Sequence, residues 1–180
     1  MNNSVDDSIR RIKQAVASQG RRIHPCLTES EVADFETRWH VRLPEGYRRF
    51  LKEVGNGGEG PPHYGLLRLG EVPGDYDRPA LDVLKDVSKP FPLTTYWVWE
   101  GEEEAKLELH EAIEHGHLVL GTEGCAMYWL LIVTGPERGQ IWNLADVGTQ
   151  PCAPGRDFLG WYEDWLAGGR DWWSGFEASG

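Results

Sequence analysis

The sequence predicts an α+β domain in which helices bracket a mainly antiparallel sheet of about four to six strands. Three observations predict it. Apolar residues recur at helical spacing in the first third of the chain and again near its end. Short β-branched and aromatic runs follow one another from His117 to Leu144. Glycine- and proline-rich stretches punctuate the two patterns, as turns between elements do. With 180 residues, 40% of them apolar and 26% charged, the chain has the size and composition of one globular domain.

The first helix is expected over Asp6–Ser18, where Val5, Ile9, Ile12 and Val16 share one face and Gly20 supplies a stop. A second opens at Thr28, whose side chain can cap the helix while Glu31 completes a capping box and Leu27 and Val32 occupy the staple positions; Val32, Phe35 and Trp39 are its inward stripe. A third starts at Pro44, a residue that the first helical turn tolerates. Tyr47, Phe50, Leu51 and Val54 then repeat at i, i+3, i+4 and i+7 before Gly55.

Residues Gly55–Pro62 are rich in glycine and proline and predict a loop, followed by a short strand over Tyr64–Leu69. Pro73–Pro92, with its prolines and acids around Leu81, Val83 and Leu84, reads as a surface excursion. Leu93–Trp99 has the aromatic and β-branched content of a strand, and Glu102–His115 reads as an acidic middle helix with Ala105, Leu109, Ala112 and Ile113 inward.

Three strands are expected next, over His117–Leu120, Ala126–Thr134 and Gln140–Leu144, the last two joined by the turn Gly135–Gly139. Met127–Val133 is apolar on both alternating faces, which predicts a strand covered on both sides. The C-terminal helix falls over Asp157–Leu166, ended by Gly168 and Gly169. The expected organisation is an N-terminal helix in 1–20, a domain over 21–168 and an aromatic tail over 169–180 that carries Trp172, Trp173 and Phe176.

Several of these segments together resemble the SUKH (Smi/Knr-like) family. The residues that carry the resemblance are Leu27-Thr28-Glu29-Ser30-Glu31, then Leu43-Pro44-Glu45-Gly46-Tyr47-Arg48-Arg49-Phe50-Leu51, then Gly55-Asn56-Gly57-Gly58. Leu120-Gly121-Thr122-Glu123-Gly124, Ile141-Trp142, Phe158-Leu159 and Trp165-Leu166 follow in the same order, so the likeness spans Leu27 to Ala167. Gly46 departs from the acidic residue often seen before the tyrosine, and glycine in a helix costs about 1 kcal/mol relative to alanine. The resemblance implies a scaffold used in bacteria for immunity proteins, which neutralise a polymorphic toxin by binding it, and in fungi for regulators of cell-wall assembly. It implies neither a shared active site nor a cofactor. The signature residues Leu43, Pro44, Tyr47, Phe50, Leu51, Asn56, Gly57, Gly58, Trp142, Phe158 and Trp165 read as architecture.

A formal net charge of −11 repels nucleic acid and anionic lipid and favours a basic partner, although acidity also serves solubility alone. No apolar run reaches the roughly 18–20 residues that a membrane span needs, and Met1–Gln19 lacks a signal-peptide core, so the expected compartment is the cytoplasm. Cys26, Cys125 and Cys152 are odd in number and widely spaced, which predicts neither a disulfide framework nor a zinc knuckle.

The chemistry-bearing clusters are few. His110, His115 and His117, with Glu111 and Glu114, have metal-ligating side chains. His110 and His115 are five apart, however, about 140° off one helix face. The loop Gly55–Gly60 lacks the Lys-Ser/Thr of a phosphate-binding loop, and Cys125 has no nucleophile elbow around it. No catalytic, cofactor or metal residue is therefore assigned.

Candidate partner-binding residues are Glu59, His63, Tyr64, Trp97, Trp99, Glu100, Glu102, Glu103 and Glu104. The acidic run could meet a basic groove, and tyrosine and tryptophan are frequent interface anchors; a solvated helix face and core packing are the plainer alternatives. The expected function is that of an immunity-type protein covering the active site of a cognate toxin, a nuclease or another enzyme with a basic groove. A regulatory scaffold with an endogenous partner is the rival, and a small metal-dependent hydrolase built on the histidines is the rival of another class.

Overall fold

The computed structural model describes residues 3–98, 101, 111 and 113–168. Among them are five helices, α1 (Asn3–Ser18), α2 (Glu29–Trp39), α3 (Glu45–Glu53), α4 (Ala80–Asp86) and α5 (Phe158–Leu166). Five strands, β1 (Trp97–Val98), β2 (His117–Gly124), β3 (Met127–Ile132), β4 (Ile141–Ala145) and β5 (Gly148–Pro151), form one antiparallel sheet in the order β1-β5-β4-β3-β2. The architecture is α+β, and no described helix is long and apolar enough to cross a membrane.

Side chains alternate across a strand, so an uninterrupted apolar run feeds two cores at once. Leu118, Leu120, Trp129, Leu131 and Ile141 face the layer of α1, α2, α3 and α5, where they meet Ile9, Ile12, Val32, Phe50, Leu51 and Trp161. Val119, Tyr128, Leu130, Ile132 and Trp142 face the other way, against Phe91 and Ile113. The doubly apolar β3 thus lies inside the sheet, between β2 and β4.

Local sequence accounts for the helix ends. Thr28 accepts the Glu31 N–H at 3.2 Å, and the Glu31 carboxylate accepts the Thr28 N–H at 2.7 Å, closing the capping box. Asp157 caps α5 by accepting the Gly160 N–H at 2.8 Å. Gly46 has a packing reason: a Cβ there would stand 3.0 Å from Leu159 Cγ, so the missing side chain lets α3 and α5 approach. Ion pairs tie the helix layer together: Arg48 to Glu29 and Glu36, Arg49 to Asp6 and Glu53, Arg11 of α1 to Glu163 of α5.

Three expectations are corrected. Tyr64–Leu69 is not a strand; only Leu66 makes a bridge, to Gly58, because this segment divides its hydrogen bonds between that loop and the edge of β2. Pro73–Pro92 is more than a surface excursion: Pro79 leads into α4, which buries Val83 and Leu84, and Phe91 beyond it is fully buried in the second core. The strand expected over Leu93–Trp99 is confined, among the described residues, to Trp97–Val98. Of the expected middle helix, Glu111 and Ile113 are described and helical; the rest of it, and the tail beyond Gly168, lie outside the described residues.

Candidate functional site

A loop of unusual backbone demands builds the main concavity. Asn56 accepts the Leu69 N–H on its Oδ1 at 2.8 Å. Gly57 follows at φ +85°, where a Cβ would stand 2.8 Å from the carbonyl oxygens of Leu66 and Leu67, so only glycine fits. Gly58 donates to the Leu66 oxygen at 2.9 Å and accepts the Leu66 N–H at 2.7 Å. Its N–H is thereby used inside the loop and is not free to cradle a phosphate. Leu67 donates to Leu120 O at 2.8 Å, which fastens the loop along β2. Beneath it opens a groove of about 1000 Å³, lined among others by Arg22, His24, Glu59, His63, Tyr64 and Arg68.

The carboxylates of this groove have structural partners. Glu59 accepts Arg22 Nε at 3.1 Å and the Arg22 N–H at 3.3 Å, and its own carbonyl accepts the Tyr162 hydroxyl at 2.7 Å. The Arg22 guanidinium, then the Arg22 N–H, hold the Glu59 carboxyl below its ordinary range. Glu123 accepts the Trp129 indole N–H at 2.8 Å and the His63 N–H at 3.0 Å. The His63 ring meets the Tyr64 ring edge-on at 5.0 Å, and Tyr64 itself is 71% exposed. Arg21 lies 4.5 Å over the ring of Trp165 on the groove wall.

The structure brings Glu59, His63 and Tyr64 to this one groove. Trp97 is half-buried in β1, paired with Thr149, on the sheet edge opposite β2 and so four strand spacings away, roughly 19 Å. Trp99, Glu100, Glu102, Glu103 and Glu104 lie outside the described residues. Among the architectural residues, Leu43, Tyr47, Phe50, Leu51, Trp142 and Phe158 are buried, Pro44 precedes α3, and Asn56, Gly57 and Gly58 shape the loop around the groove. Arg22 and Glu123 are parts of the site that sequence reading missed. The only signal for Glu123 was its place in the Leu120–Gly124 stretch.

Among the described histidines of the cluster, His117 is engaged within the fold. His117 is buried, with Nδ1 3.2 Å from His115 O and Nε2 3.2 Å from the Tyr76 hydroxyl. A carbonyl only accepts, so Nδ1 carries the proton and Nε2 accepts from Tyr76, which describes a neutral imidazole with both nitrogens in use. Burial lowers its pKa to about 4. Among the described residues no group of three His, Cys, Asp or Glu is placed to hold a metal ion; His110 lies outside them. Cys125 and Cys26 are exposed and Cys152 is buried, all as free thiols.

Compared with known protein families, residues 26–164 match the model for the SMI1 / KNR4 family (SUKH-1). No curated protein and no solved structure matches the chain.

Proposed function

The chain belongs to the SMI1 / KNR4 family (SUKH-1), and from that premise we propose that it is an immunity protein. In this reading it acts in the cytoplasm by binding a cognate toxin protein and covering the toxin's active site. The family supports a toxin-immunity or regulatory role in general; the immunity role of this chain is our inference.

The observation that carries the reading is the use to which the groove's ionisable groups are put. Glu59 is held by Arg22, and Glu123 by Trp129 and His63. General acid–base work needs a group able to reach a substrate proton, and carboxylates engaged in structural hydrogen bonds suit a shaped surface better than a reaction centre. Exposed Tyr64 is the kind of side chain that anchors a protein interface. The net charge of −11 adds long-range attraction to an enzyme with a basic groove, such as a nuclease. Neutralisation then needs no chemistry, only occlusion by a tight complex.

Co-expression tests this. Cells expressing the protein encoded beside this chain's gene should stop growing, and this chain in the same cells should restore growth. Toxicity that persists at full expression of this chain would contradict the immunity role and favour a regulatory scaffold.

A further inference from the structure

We propose that the partner docks on the end of the sheet formed by the β2–β3 and β4–β5 turns, and that it presents lysine and arginine side chains around an apolar centre. This rests on the binding function proposed above and specifies its surface.

Exposed apolar side chains gather at that end. Among the described residues, Tyr64, Leu81, Tyr96, Val98, Met127 and Val147 are the large hydrophobics left open to solvent. The sheet register places four of them along this one end. Met127 follows the β2–β3 turn and pairs with Gly124. The Tyr64 ring covers that glycine, with Cε2 3.3 Å from where a Cβ would be. Val147 is in the β4–β5 turn, and Val98 pairs with Gly148 just after it. Because Tyr128 pairs with Leu144 and Ala145 with Gly148, both turns lie at one end of the sheet. From β2 to β1 this end is roughly 19 Å wide.

Charge decides what kind of partner fits. Most acids of the helix layer are neutralised within the protein: Asp6, Glu29, Glu36, Glu53 and Glu163 all pair with arginine or lysine, while Asp34 and Glu45 are exposed with no ion-pair partner among the described residues and stand apart from any exposed apolar cluster. At the sheet end Asp75, Asp77 and Asp146 are exposed, and none has an ion-pair partner among the described residues. The Asp75 carbonyl accepts the Tyr128 hydroxyl at 2.8 Å, and Asp77 and Asp146 line one small hollow with Ala126. Arg78, in the same hollow, is already engaged by Asp86 at 2.6 Å and Glu114 at 3.5 Å. An apolar patch edged by unneutralised carboxylates suits a basic protein and repels an acidic one.

The test uses the purified product of the adjacent gene and three forms of this chain: wild type, Asp75→Lys/Asp77→Lys/Asp146→Lys, and a control with equal charge change placed elsewhere, Asp34→Lys/Glu45→Lys/Glu137→Lys. Melting temperatures verify folding. At low salt the sheet-end variant should associate at least about tenfold more slowly than wild type and the control far less so, the difference shrinking at high salt. A second variant, Tyr64→Ser/Met127→Ser/Val147→Ser, should dissociate faster with an unchanged salt dependence. Equal behaviour of sheet-end and control variants, or wild-type kinetics in all of them, would overturn this surface while leaving the immunity role intact. Failure of wild type to bind at all would overturn that role, and this proposal with it.

Discussion

The indole N–H of Trp129 donates to the carboxylate of Glu123 at 2.8 Å, and the other oxygen of that carboxylate accepts the His63 N–H at 3.0 Å. One half-buried acid therefore joins the buried interior of β3 to the exposed loop that presents Tyr64. Glu123→Ala should destabilise the fold by about 1–3 kcal/mol in urea denaturation, as the loss of a charged acceptor does. Glu123→Gln, which keeps one acceptor oxygen, should lose less. If both variants match wild type, the link is not a structural one.

Gly57 should tolerate no side chain. Its φ of +85° costs an L-residue about 1–2 kcal/mol, and a Cβ 2.8 Å from two carbonyl oxygens adds a clash with backbone that cannot yield cheaply. Gly57→Ala should lower stability by more than about 2 kcal/mol, measured by chemical denaturation. Gly74→Ala is the control, since a Cβ there meets nothing within 4 Å.

At the β2–β3 turn, Cys125 and Ala126 both hold positive φ, 52° and 56°, in a two-residue hairpin loop that prefers Asn-Gly. The double variant Cys125→Asn/Ala126→Gly should therefore gain about 1–2 kcal/mol. A stability loss in that variant would mean that the native pair makes contacts outweighing its backbone cost.

His117 makes stability pH-dependent. Its folded pKa, about 4, lies below the ordinary 6.5, so between these values the unfolded chain binds the proton and the folded one does not. Its contribution is complete above pH 6.5 and is lost as pH falls toward 4. Between neutrality and about pH 5 the loss should be roughly 2 kcal/mol. His117→Gln should be less stable at neutral pH and show a flatter dependence over that window; an unchanged slope would assign the titration elsewhere.

Much of this was legible in the sequence because local chemistry and tertiary packing agree there. The Thr28–Glu31 box, the α3 stripe of Tyr47, Phe50 and Leu51, and the doubly apolar run of β3 each encode their own surroundings. β5 was missed because Gly148-Thr149-Gln150-Pro151 has neither length nor alternation and is a strand only by pairing with β4 and β1. α4 was missed because prolines flank a single turn or two of helix whose Leu84 is buried only by joining a core built from residues distant in sequence. In the groove, Tyr64 and His63 were readable as exposed aromatic and polar residues. The carboxylate bridge of Glu123 was not, since His63 lies sixty residues away and the link exists only once β2 is in place.

The most direct measurement is a calorimetric titration of the wild-type chain with a catalytically inactive form of the protein encoded beside its gene. The account predicts a one-to-one complex with Kd in the nanomolar range or tighter, as for other inhibitory interfaces of standard size. Absence of binding at micromolar concentrations of both proteins would contradict it.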